Sequence, residues 1–514
     1  MNKNSQPRLE RGSGILLHIT SLYGDSGVGN LGNSTTDFIR FLKKAGQKYW
    51  QILPLGPVSS GYSYSPYASH SSFAGNQMLI DPVSLQDEAW MKSDILAGSP
   101  PPGETRRINF REAEFQTDTF LGTAWENFNR YGSKSEKEQF RKFCIANTHW
   151  LDDFALFKAL SEINHSFNWR SWDPVWKDRD SIDLKALPGN LKGRMDQVRF
   201  EQYLFDIQWN RFKTNCNANG IRLIGDIPIY VGMDSADTWA NPSLFRFNDD
   251  FSPEAVSGVP PDYFSETGQK WGNPLYRWFT EKGVNIHLHK WWEMRLLRLF
   301  SLVDIVRIDH FRGFESFWSV DTESPDGRGG RWEKGPGYDL FDHLFKTIGN
   351  MPVIAEDLGI ITDEVHRLRE RTGFPGMKIL QFAFGGGKDN PYLPENITDP
   401  NCVIYTGTHD NNTSIGWFRN ETGHGGTHDF LQSYLEYGGE DEFLWKFINC
   451  AVSSAADLSI VPLQDIAGLG EEARLNTPGT SGDQNWSWRA APKDFSDAGA
   501  EKLKKLCIRA GRAS

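Results

Sequence analysis

The sequence predicts an α/β fold, a (β/α)8 TIM barrel with large inserted subdomains between strands 2 and 3 and between strands 3 and 4. Eight short apolar, β-branched runs recur along the 514 residues, with helical stretches between many of them. Three of the later runs lead into carboxylates, at Asp309, Glu356 and Asp410. Catalytic groups of such barrels lie at the carboxyl ends of the strands, so these acids are expected to share one rim. An open doubly wound sheet is the alternative, but no G-x-G-x-x-G or Walker motif supports it.

The first βαβ unit has a clear helix signal between its two strands. We expect strands at residues 14–19 and 49–53. Between them, Ser34 and Asp37 have the spacing of a capping box, and Gly46 is expected to end the helix.

The remaining strands follow at wider intervals. Six more are predicted at residues 222–229, 303–309, 353–356, 377–384, 402–405 and 458–463. Amphipathic helices are predicted at residues 200–217, 287–300, 362–371 and 497–509.

Two gaps between predicted strands are too long for simple crossovers. Residues 1–57 are expected to start the catalytic barrel, and residues 58–199 to form an inserted, mainly helical subdomain with a helix-prone stretch at 135–163. Residues 200–230 then hold the strand 3 region of the barrel. Residues 231–285, rich in Pro, Gly and aromatic residues, are expected to be irregular loops that cover the active-site groove. Residues 286–514 complete the barrel.

Composition narrows the class of partner. The net charge is −11, and nucleic-acid-binding proteins need basic stripes that this sequence lacks, so nucleic acid is not an expected partner. The chain has 19 Trp, 15 Tyr and 34 Phe, most of which are expected in the core, although flat aromatic faces also suit sugar rings.

Cysteine usage and hydropathy predict a cytoplasmic protein. The five cysteines are dispersed without a CxxC pair or a His at metal-ligand spacing, as expected of reduced thiols. The first 14 residues lack the apolar region of a secretory signal, and no apolar run approaches the roughly 20 residues that span a bilayer, so no membrane partner is expected. The sequence predicts no oligomeric state.

The three acids suggest chemistry on a glycosidic bond. Two carboxyl groups, one ionised and one protonated, are the minimum machinery for cleaving such a bond, and a third can stabilise the positive charge that develops. Arg307 lies two residues before Asp309, so both side chains should share one face and the Asp309 carboxylate should stay ionised. Glu356 is expected to be the general acid, with its pKa raised by burial and by nearby carboxylates. Asp357 should face the other way and serve the structure.

Two other interpretations of these acids stay open at this point. Each acid could cap the following helix or pair with a basic residue. Alternatively, the three carboxylates with His310 and His409 could hold Mg²⁺ or Zn²⁺. Against a metal, no H-E-x-x-H or H-x-H pair is present, and each His directly adjoins its acid, which on a strand would turn the two side chains apart.

Several longer motifs carry a family resemblance. They are R-I-D-H-F-R-G-F-E at 307–315, A-E-D-L-G at 355–359, G-T-H-D-N at 407–411, G-D-I-P-I-Y-V at 225–231, S-P-Y-x-S at 65–69, G-V-P-P-D-Y-F at 258–264 and W-G-N-P-L-Y at 271–276. Together they resemble the signature regions of the 4-α-glucanotransferases known as amylomaltases or disproportionating enzymes, glycoside hydrolase family 77 of the α-amylase clan. The resemblance runs from Gly14 to Arg489.

The resemblance implies a retaining double displacement. Asp309 takes the position of the nucleophile, Glu356 that of the acid/base and Asp410 that of the transition-state stabiliser. No cofactor and no metal are implied.

The resemblance also implies a set of substrate-binding residues. Arg307, His409 and Asp226 match residues that contact the sugar or order the nucleophile, and Ser65, Tyr67, Gln269 and Trp271 match residues that line the donor and acceptor subsites. Pro260, Pro261 and Asp262 match a loop that covers the groove, and Asn476 matches a late contact.

The activity that the resemblance implies is transfer of 1,4-α-glucan segments. The donor is a malto-oligosaccharide or a starch or glycogen chain, and the acceptor is the 4-hydroxyl of another glucan or of glucose. The acids alone do not choose between water and sugar as acceptor, so an α-amylase-type hydrolase stays open. A non-catalytic glucan-binding protein is a further alternative, although such a protein would be expected to lose acids, and all three are present.

Overall fold

A computed structural model describes residues 8–24, 27–87, 90, 105–261, 265–423 and 426–513. Within these residues, strands form a large parallel sheet, a four-stranded antiparallel sheet and a short hairpin. The strands are β1 Gly12–Leu16, β2 Tyr49–Gln51, β3 Arg222–Ile227, β4 Val256–Val259, β5 Gln269–Pro274, β6 Phe279–Thr280, β7 Gly283–Val284, β8 Ile305–Ile308, β9 Ser316–Val320, β10 Gly330–Lys334, β11 Val353–Ala355, β12 Gly376–Ile379, β13 Cys402–Tyr405 and β14 Leu458–Pro462.

The large sheet is a nearly closed barrel, which confirms the predicted fold class. In the described part of the chain its eight strands are all parallel, in the order β11-β8-β3-β2-β1-β14-β13-β12. The first strand pairs with the last, with Gly12 opposite Leu458. Between β11 and β12, a backbone hydrogen bond of 2.9 Å from Ala355 N to Pro375 O bridges the seam.

Strand positions agree with the sequence prediction better than strand ends do. The predicted strand at residues 402–405 coincides with β13. The predicted strand at 377–384 is wrong in its second half, because the chain turns into a 3₁₀ helix at Leu380–Phe382. β1 likewise ends at Leu16, and residues Ile19–Ser21 form a 3₁₀ turn.

Helices surround the barrel. In the described residues they are α1 Asn33–Lys44, α2 Ser84–Asp87, α3 Phe110–Tyr131, α4 Lys134–Ile163, α5 Pro174–Lys177, α6 Gly189–Ala218, α7 Ala236–Ala240, α8 Ile286–Leu302, α9 Tyr338–Thr347, α10 Asp363–Thr372, α11 Ser414–Asn420, α12 Thr427–Leu435, α13 Glu440–Ser453, α14 Leu463–Ile466 and α15 Asp497–Arg509. No helix among the described residues is both long and apolar enough to cross a membrane.

The predicted capping box of α1 is wrong. The helix begins two residues earlier than expected, with Gly32 at the N-cap position, so Ser34 lies inside the first turn and makes no cap. Asp37 instead accepts a hydrogen bond of 2.6 Å from the Tyr23 hydroxyl and pairs with Arg40. The backbone N–H of Gly32 is satisfied by the side chain of Asn30, a partner that the S-x-x-D pattern does not reveal.

Long helices fill the segment between β2 and β3. α4 starts with a capping box between Ser133 and Glu136 and packs along α6. α6 is continuous from Gly189 to Ala218, so one helix crosses the division predicted between residues 199 and 200. Its Trp209 is fully buried and donates a hydrogen bond of 2.8 Å to the Leu302 carbonyl. This bond ties the helix to the element that precedes β8.

In the described part of the segment at 231–285, the predicted loops are interrupted by α7 and by the short strands β4 to β7. β4 and β5 from this segment join β9 and β10, which follow β8, in an antiparallel sheet of order β10-β9-β4-β5. β4 and β9 pair across about 60 residues of sequence and the strands are short, so local patterning gives little sign of this pairing. This sheet places residues from two connections, the one between β3 and β8 and the one between β8 and β11, beside the carboxyl end of the barrel.

Candidate active site

Arg307 links two carboxylates at the carboxyl end of the barrel. It lies opposite Asp226 in the parallel register of β8 and β3, and its Nη1 donates to Asp226 Oδ2 at 2.6 Å. Its Nη2 donates to Asp309 Oδ1 at 2.9 Å. The prediction that Arg307 and Asp309 share one face of the strand is confirmed. Arg307 thus places one positive charge between the two carboxylates.

Asp226 is buried beneath the site. Its Oδ2 also accepts a hydrogen bond of 2.6 Å from the Tyr67 hydroxyl, while its Oδ1 has no partner among the described residues. Burial raises the pKa of Asp226, and the charge of Arg307 opposes that rise. The carboxylate therefore depends on Arg307 and Tyr67 to stay in place.

Glu356 directly follows β11, and its burial favours the protonated form of its carboxyl group. The backbone N–H groups of His310 and Leu358 donate to its two oxygens at 2.7 and 2.9 Å. Burial, with the nearby charge of Asp309 as the second cause, raises the pKa of Glu356 to about 8, and Arg307 acts in the opposite direction. The expected rise of the pKa is confirmed. At neutral pH this side chain is an acid that can donate its proton.

Asp357 faces away from the site, as its position on the strand predicts. Its Oδ1 accepts a hydrogen bond of 2.7 Å from the Met377 backbone N–H. Its Oδ2 lies 3.0 Å from Arg369 Nε. These contacts bind the turn after β11 to β12 and α10, which is a structural role.

Asp410 lies in a turn beyond β13 and not at the strand end itself, because β13 stops at Tyr405. Asn476 Nδ2 donates to Asp410 Oδ1 at 2.7 Å. Arg474 Nη2 donates to the Asp410 backbone carbonyl at 2.9 Å. Asn476 therefore holds the carboxylate on one side, and the side chain is still 44% exposed.

His409 contacts its neighbouring acid, against the sequence expectation. Its Nε2 lies 3.3 Å from Asp410 Oδ2, because the two residues are in a turn and the alternation of a strand does not apply. The ring stacks on Tyr67, with centroids 5.0 Å apart and 16° between the planes. Trp486 packs against both rings, at 5.7 Å from Tyr67 and 5.9 Å from His409. His409 and Tyr67 thus belong to one aromatic wall.

Trp271 and Gln269 come from β5 of the four-stranded sheet, and Trp271 contacts the residue that follows Asp309. Trp271 Nε1 donates to Gln269 Oε1 at 3.0 Å. The 39% exposed Trp271 ring packs edge-to-face with His310, with centroids 4.9 Å apart. Burial lowers the pKa of His310 to about 4, so this ring is neutral at neutral pH. β5 therefore brings an exposed aromatic face next to the residue that follows Asp309.

The other predicted binding residues are placed less directly. Ser65 Oγ accepts a hydrogen bond of 3.3 Å from the Tyr67 backbone N–H, so it shapes the turn that presents Tyr67. Pro260 and Pro261 directly follow β4, close against Gly268, where φ is +64° and a Cβ would meet the Val259 carbonyl at 2.5 Å. Asp262 lies outside the described residues.

Two residues of the site were missed by sequence reasoning. His18 follows β1, and its Nδ1 accepts a hydrogen bond of 3.2 Å from the Leu53 N–H. Burial, with His409 as a second cause, lowers the pKa of His18 to about 3. A histidine directly after the first apolar run was a usable signal. Trp486, with φ of +63°, had none, because it comes from a loop with no strand pattern.

The arrangement suits acid–base chemistry on a sugar. A protonated Glu356 and an Arg307-paired Asp309 meet at one rim, and Asp410 completes the set from the turn after β13. Arg307 occupies the space between carboxylates that a cation would use. In the part of the chain that the structure describes, no group of three or more His, Cys, Asp or Glu is arranged to hold a metal ion.

Comparisons with known proteins find similar chains over almost the whole sequence. A family model described as 4-alpha-glucanotransferase matches residues 17–494. The 4-alpha-glucanotransferase of Thermus thermophilus is 42% identical over 506 residues, covering 97% of this chain and 98% of that one. That of Clostridium butyricum is 43% identical over 497 residues, covering 96% and 100%.

Solved structures lead to the same relatives. The amylomaltase from Streptococcus agalactiae in complex with acarbose matches with a TM-score of 0.91 and 33% identity, covering 98% of this chain and 100% of that one. The amylomaltase from Corynebacterium glutamicum matches with a TM-score of 0.79 over 97% of this chain and 75% of that one. At 18% identity, that second similarity concerns the fold alone.

Proposed function

The chain belongs to the 4-alpha-glucanotransferase family, and from that premise we propose that it works by a retaining double displacement through a covalent glucosyl intermediate on Asp309. It is a 4-alpha-glucanotransferase, an enzyme of the glycosyltransferase type. The proposed donor is a malto-oligosaccharide or a starch or glycogen chain. The proposed acceptor is the 4-hydroxyl of another glucan or of glucose.

One observation carries the mechanism: the pKa of Glu356 is raised to about 8 while Asp309 is paired with Arg307 at 2.9 Å. In the first step an Asp309 oxygen attacks the anomeric carbon. Glu356 gives its proton to the departing 4-hydroxyl oxygen, whose bond to that carbon breaks. In the second step Glu356 takes the proton of the incoming 4-hydroxyl, the new glycosidic bond forms, and the bond to Asp309 breaks.

Asp410 is the proposed stabiliser of the transition state. Its carboxylate is fixed by Asn476 and His409 and faces the groove. Positive charge develops on the sugar ring as the bond to the leaving oxygen lengthens, and a fixed negative charge opposes it. Asn476 acts in this proposal through Asp410 and not on the reacting atoms.

The proposed sugar-binding groups lie on both sides of the acids. The wall formed by His409 and Tyr67 faces the nucleophile side, where Asp226 anchors the Tyr67 hydroxyl. Trp271 and Gln269 approach from β5 on the side of His310. Ser65 supports the turn of Tyr67, and Asp262 remains a prediction from the family pattern.

The choice of sugar over water as acceptor is tested by the products from maltotriose. Transfer gives glucose together with a ladder of longer dextrins, whereas an α-amylase-type hydrolase gives glucose and maltose with reducing ends that rise with each bond cut. Asp309→Asn is the matched control, since it removes the proposed nucleophile. Shorter products without any longer dextrin would reject transfer in favour of hydrolysis.

We also propose a cytoplasmic location. All five cysteines are free, including the buried Cys216, Cys402 and Cys507, which suits a reducing compartment. Fractionation of the source cells, followed by detection of the protein, tests this. Its recovery in an oxidising compartment with intermolecular disulfides would contradict the proposal.

A further inference from the structure

An exposed aromatic surface lies on the four-stranded sheet, on the strands β9 and β10 that follow β8. Trp332 of β10 and Trp318 of β9 stand directly opposite each other in the antiparallel register. Their ring centroids are 5.0 Å apart in an edge-to-face arrangement. Trp332 is 40% exposed, although tryptophan usually covers its large apolar surface. We call these two rings the tryptophan platform.

The platform is held rigidly by polar contacts on its inner side. The guanidinium carbon of Arg312 lies 3.8 Å from the centroid of the Trp332 ring. Arg312 is fixed in turn, because its Nη2 donates to Ser316 Oγ at 3.2 Å and its Nη1 donates to the Ile360 carbonyl. One face of Trp332 is thus covered by Arg312, and the other parts of the ring provide its exposed surface.

Two glycines hold the Trp318 ring in place, one by a hydrogen bond and one by close packing. Its Nε1 donates to the Gly327 carbonyl at 2.7 Å, and its ring lies across the backbone of Gly330. A Cβ at Gly330 would come within 2.1 Å of Trp318 Nε1, so only glycine allows this packing. Both rings are therefore positioned before any ligand binds, which lowers the entropic cost of binding.

The platform lies at the Glu356 end of the row of acids. Around the barrel, β3 with Asp226 adjoins β8, and β8 adjoins β11, which leads into Glu356. Arg312 is two residues beyond His310, whose backbone N–H donates to Glu356, and two residues span at most about 7 Å. The Ile360 carbonyl that holds Arg312 belongs to the segment just after Glu356.

The position of the platform determines which part of the substrate it can contact. The acid/base acts on the oxygen that leaves with the first chain and then arrives with the second. Sugar units beyond that oxygen extend away from Asp309 on the side of Glu356. A rigid aromatic face there would meet the acceptor chain and not the glucosyl unit attached to Asp309.

We propose that the tryptophan platform is a distal acceptor subsite that stacks on a glucosyl unit of an α-1,4-glucan several units long. The inference rests on the proposed function, because it assigns one end of the same groove. The apolar C–H face of the sugar covers Trp332, and the hydroxyl groups of the sugar meet the polar edge made by Ser316 and Glu315, which are hydrogen-bonded at 2.6 Å. In this proposal a long acceptor chain occupies both the Glu356 site and the platform, whereas free glucose occupies the Glu356 site alone.

Transfer to labelled acceptors of two lengths tests the subsite. Starch serves as the donor, and fluorescently labelled glucose or labelled maltohexaose serves as the acceptor. Trp332→Ala is expected to lower kcat/KM for maltohexaose about five- to tenfold more than for glucose, the size of one lost aromatic stacking contact. Trp332→Phe, which keeps an aromatic face, is expected to restore most of the difference.

Phe279→Ala is the matched control. Phe279 is a strand residue of similar exposure, 44%, on the separate hairpin of β6 and β7, and its removal is expected to leave the ratio between the two acceptors as it is in the original enzyme. An equal fall for both acceptors with Trp332→Ala would overturn the proposal and assign Trp332 to supporting Arg312. No change for either acceptor would also overturn it.

A binding measurement separates this proposal from the catalytic one. Maltohexaose is titrated calorimetrically into Asp309→Asn, with and without Trp332→Ala. Binding about five- to tenfold weaker in the double variant is expected, and equal binding would overturn the subsite. If the original enzyme labels neither acceptor, the proposed transfer fails while this titration still decides the subsite.

Discussion

Asp226 and Arg307 form an ion pair of 2.6 Å that is closed to solvent, with their side chains 0% and 5% exposed. A buried pair of this kind adds little net stability over apolar residues of similar size, because both charges lose their hydration. Its value lies in position, since the second arm of Arg307 holds Asp309 at 2.9 Å.

Removing one partner of this pair is expected to lower the free energy of unfolding more than removing both. Arg307→Met leaves buried Asp226 without its cation and should lower the free energy of unfolding by roughly 3–5 kcal/mol. Asp226→Asn combined with Arg307→Met should recover part of this loss, because no buried charge is left unpaired. Denaturant unfolding of the two single variants and the double variant measures it. Strictly additive losses would contradict the argument.

The pH profile of activity should carry the pKa of Glu356. The acid must be protonated to act, so kcat/KM is expected to fall as the pH rises through about 8. Initial transfer rates at low substrate concentration, from pH 5 to pH 10, measure the position of this fall. A fall centred near the ordinary glutamate pKa of 4.5 would reject the role of Glu356 as acid.

Stability should show the same group with a defined sign. Folded Glu356 keeps its proton up to about pH 8, whereas the unfolded chain loses it near 4.5. Its contribution to stability is therefore full below pH 4.5 and is lost as the pH rises towards 8. Glu356→Gln cannot ionise, so its melting temperature relative to the original protein should rise between pH 5 and pH 8. A difference that stays constant over that range would contradict the raised pKa.

Tyr67 should matter for both stability and catalysis. Tyr67→Phe removes the hydroxyl that donates to Asp226 at 2.6 Å, and the loss should cost about 1–3 kcal/mol in unfolding free energy together with about tenfold in kcat/KM. Tyr62→Phe is the matched control, because its hydroxyl donates to Asp234 at 3.2 Å, away from the three acids. Equal loss of activity in both variants would remove Tyr67 from the site.

Asn476 should act on catalysis through Asp410. Asn476→Ala removes a hydrogen bond of 2.7 Å to the carboxylate, worth about 1.5–3 kcal/mol, so kcat should fall roughly 10- to 100-fold with a smaller change in KM. Asn420→Ala removes a similar bond of 2.6 Å to Glu471 on the surface and should retain full activity. A larger effect on KM than on kcat would instead indicate direct sugar binding.

Asp309→Asn tests the nucleophile most directly. Without a carboxylate the covalent intermediate cannot form, and kcat should fall by about 10⁴-fold or more. Maltoheptaose should still bind, which calorimetry measures. Normal binding with full activity would show that the nucleophile is another residue.

Prediction from the sequence was most accurate for side chains whose orientation follows from strand geometry alone. Arg307 and Asp309 share a face because strand residues alternate, and the pairing of β8 with β3 then brings Asp226 opposite Arg307. The prediction that the side chains of His409 and Asp410 turn apart was wrong, because both residues lie in a turn where that alternation does not hold. The packing of Trp486 and the pairing of β4 with β9, in the sheet that presents Trp271, depend on contacts between distant segments, so they leave no local pattern.

The pairing of β1 with β14 also bears on how the chain folds as it is made. Gly12 finds its partner only when Leu458 has been synthesised, on the order of tens of seconds after β1 leaves the ribosome. Until then one edge of β1 has unpaired N–H and C=O groups that invite wrong partners. Long-range closure of this kind slows folding. A mutation in β14 should therefore reduce the yield of folded protein more than its effect on the finished enzyme suggests.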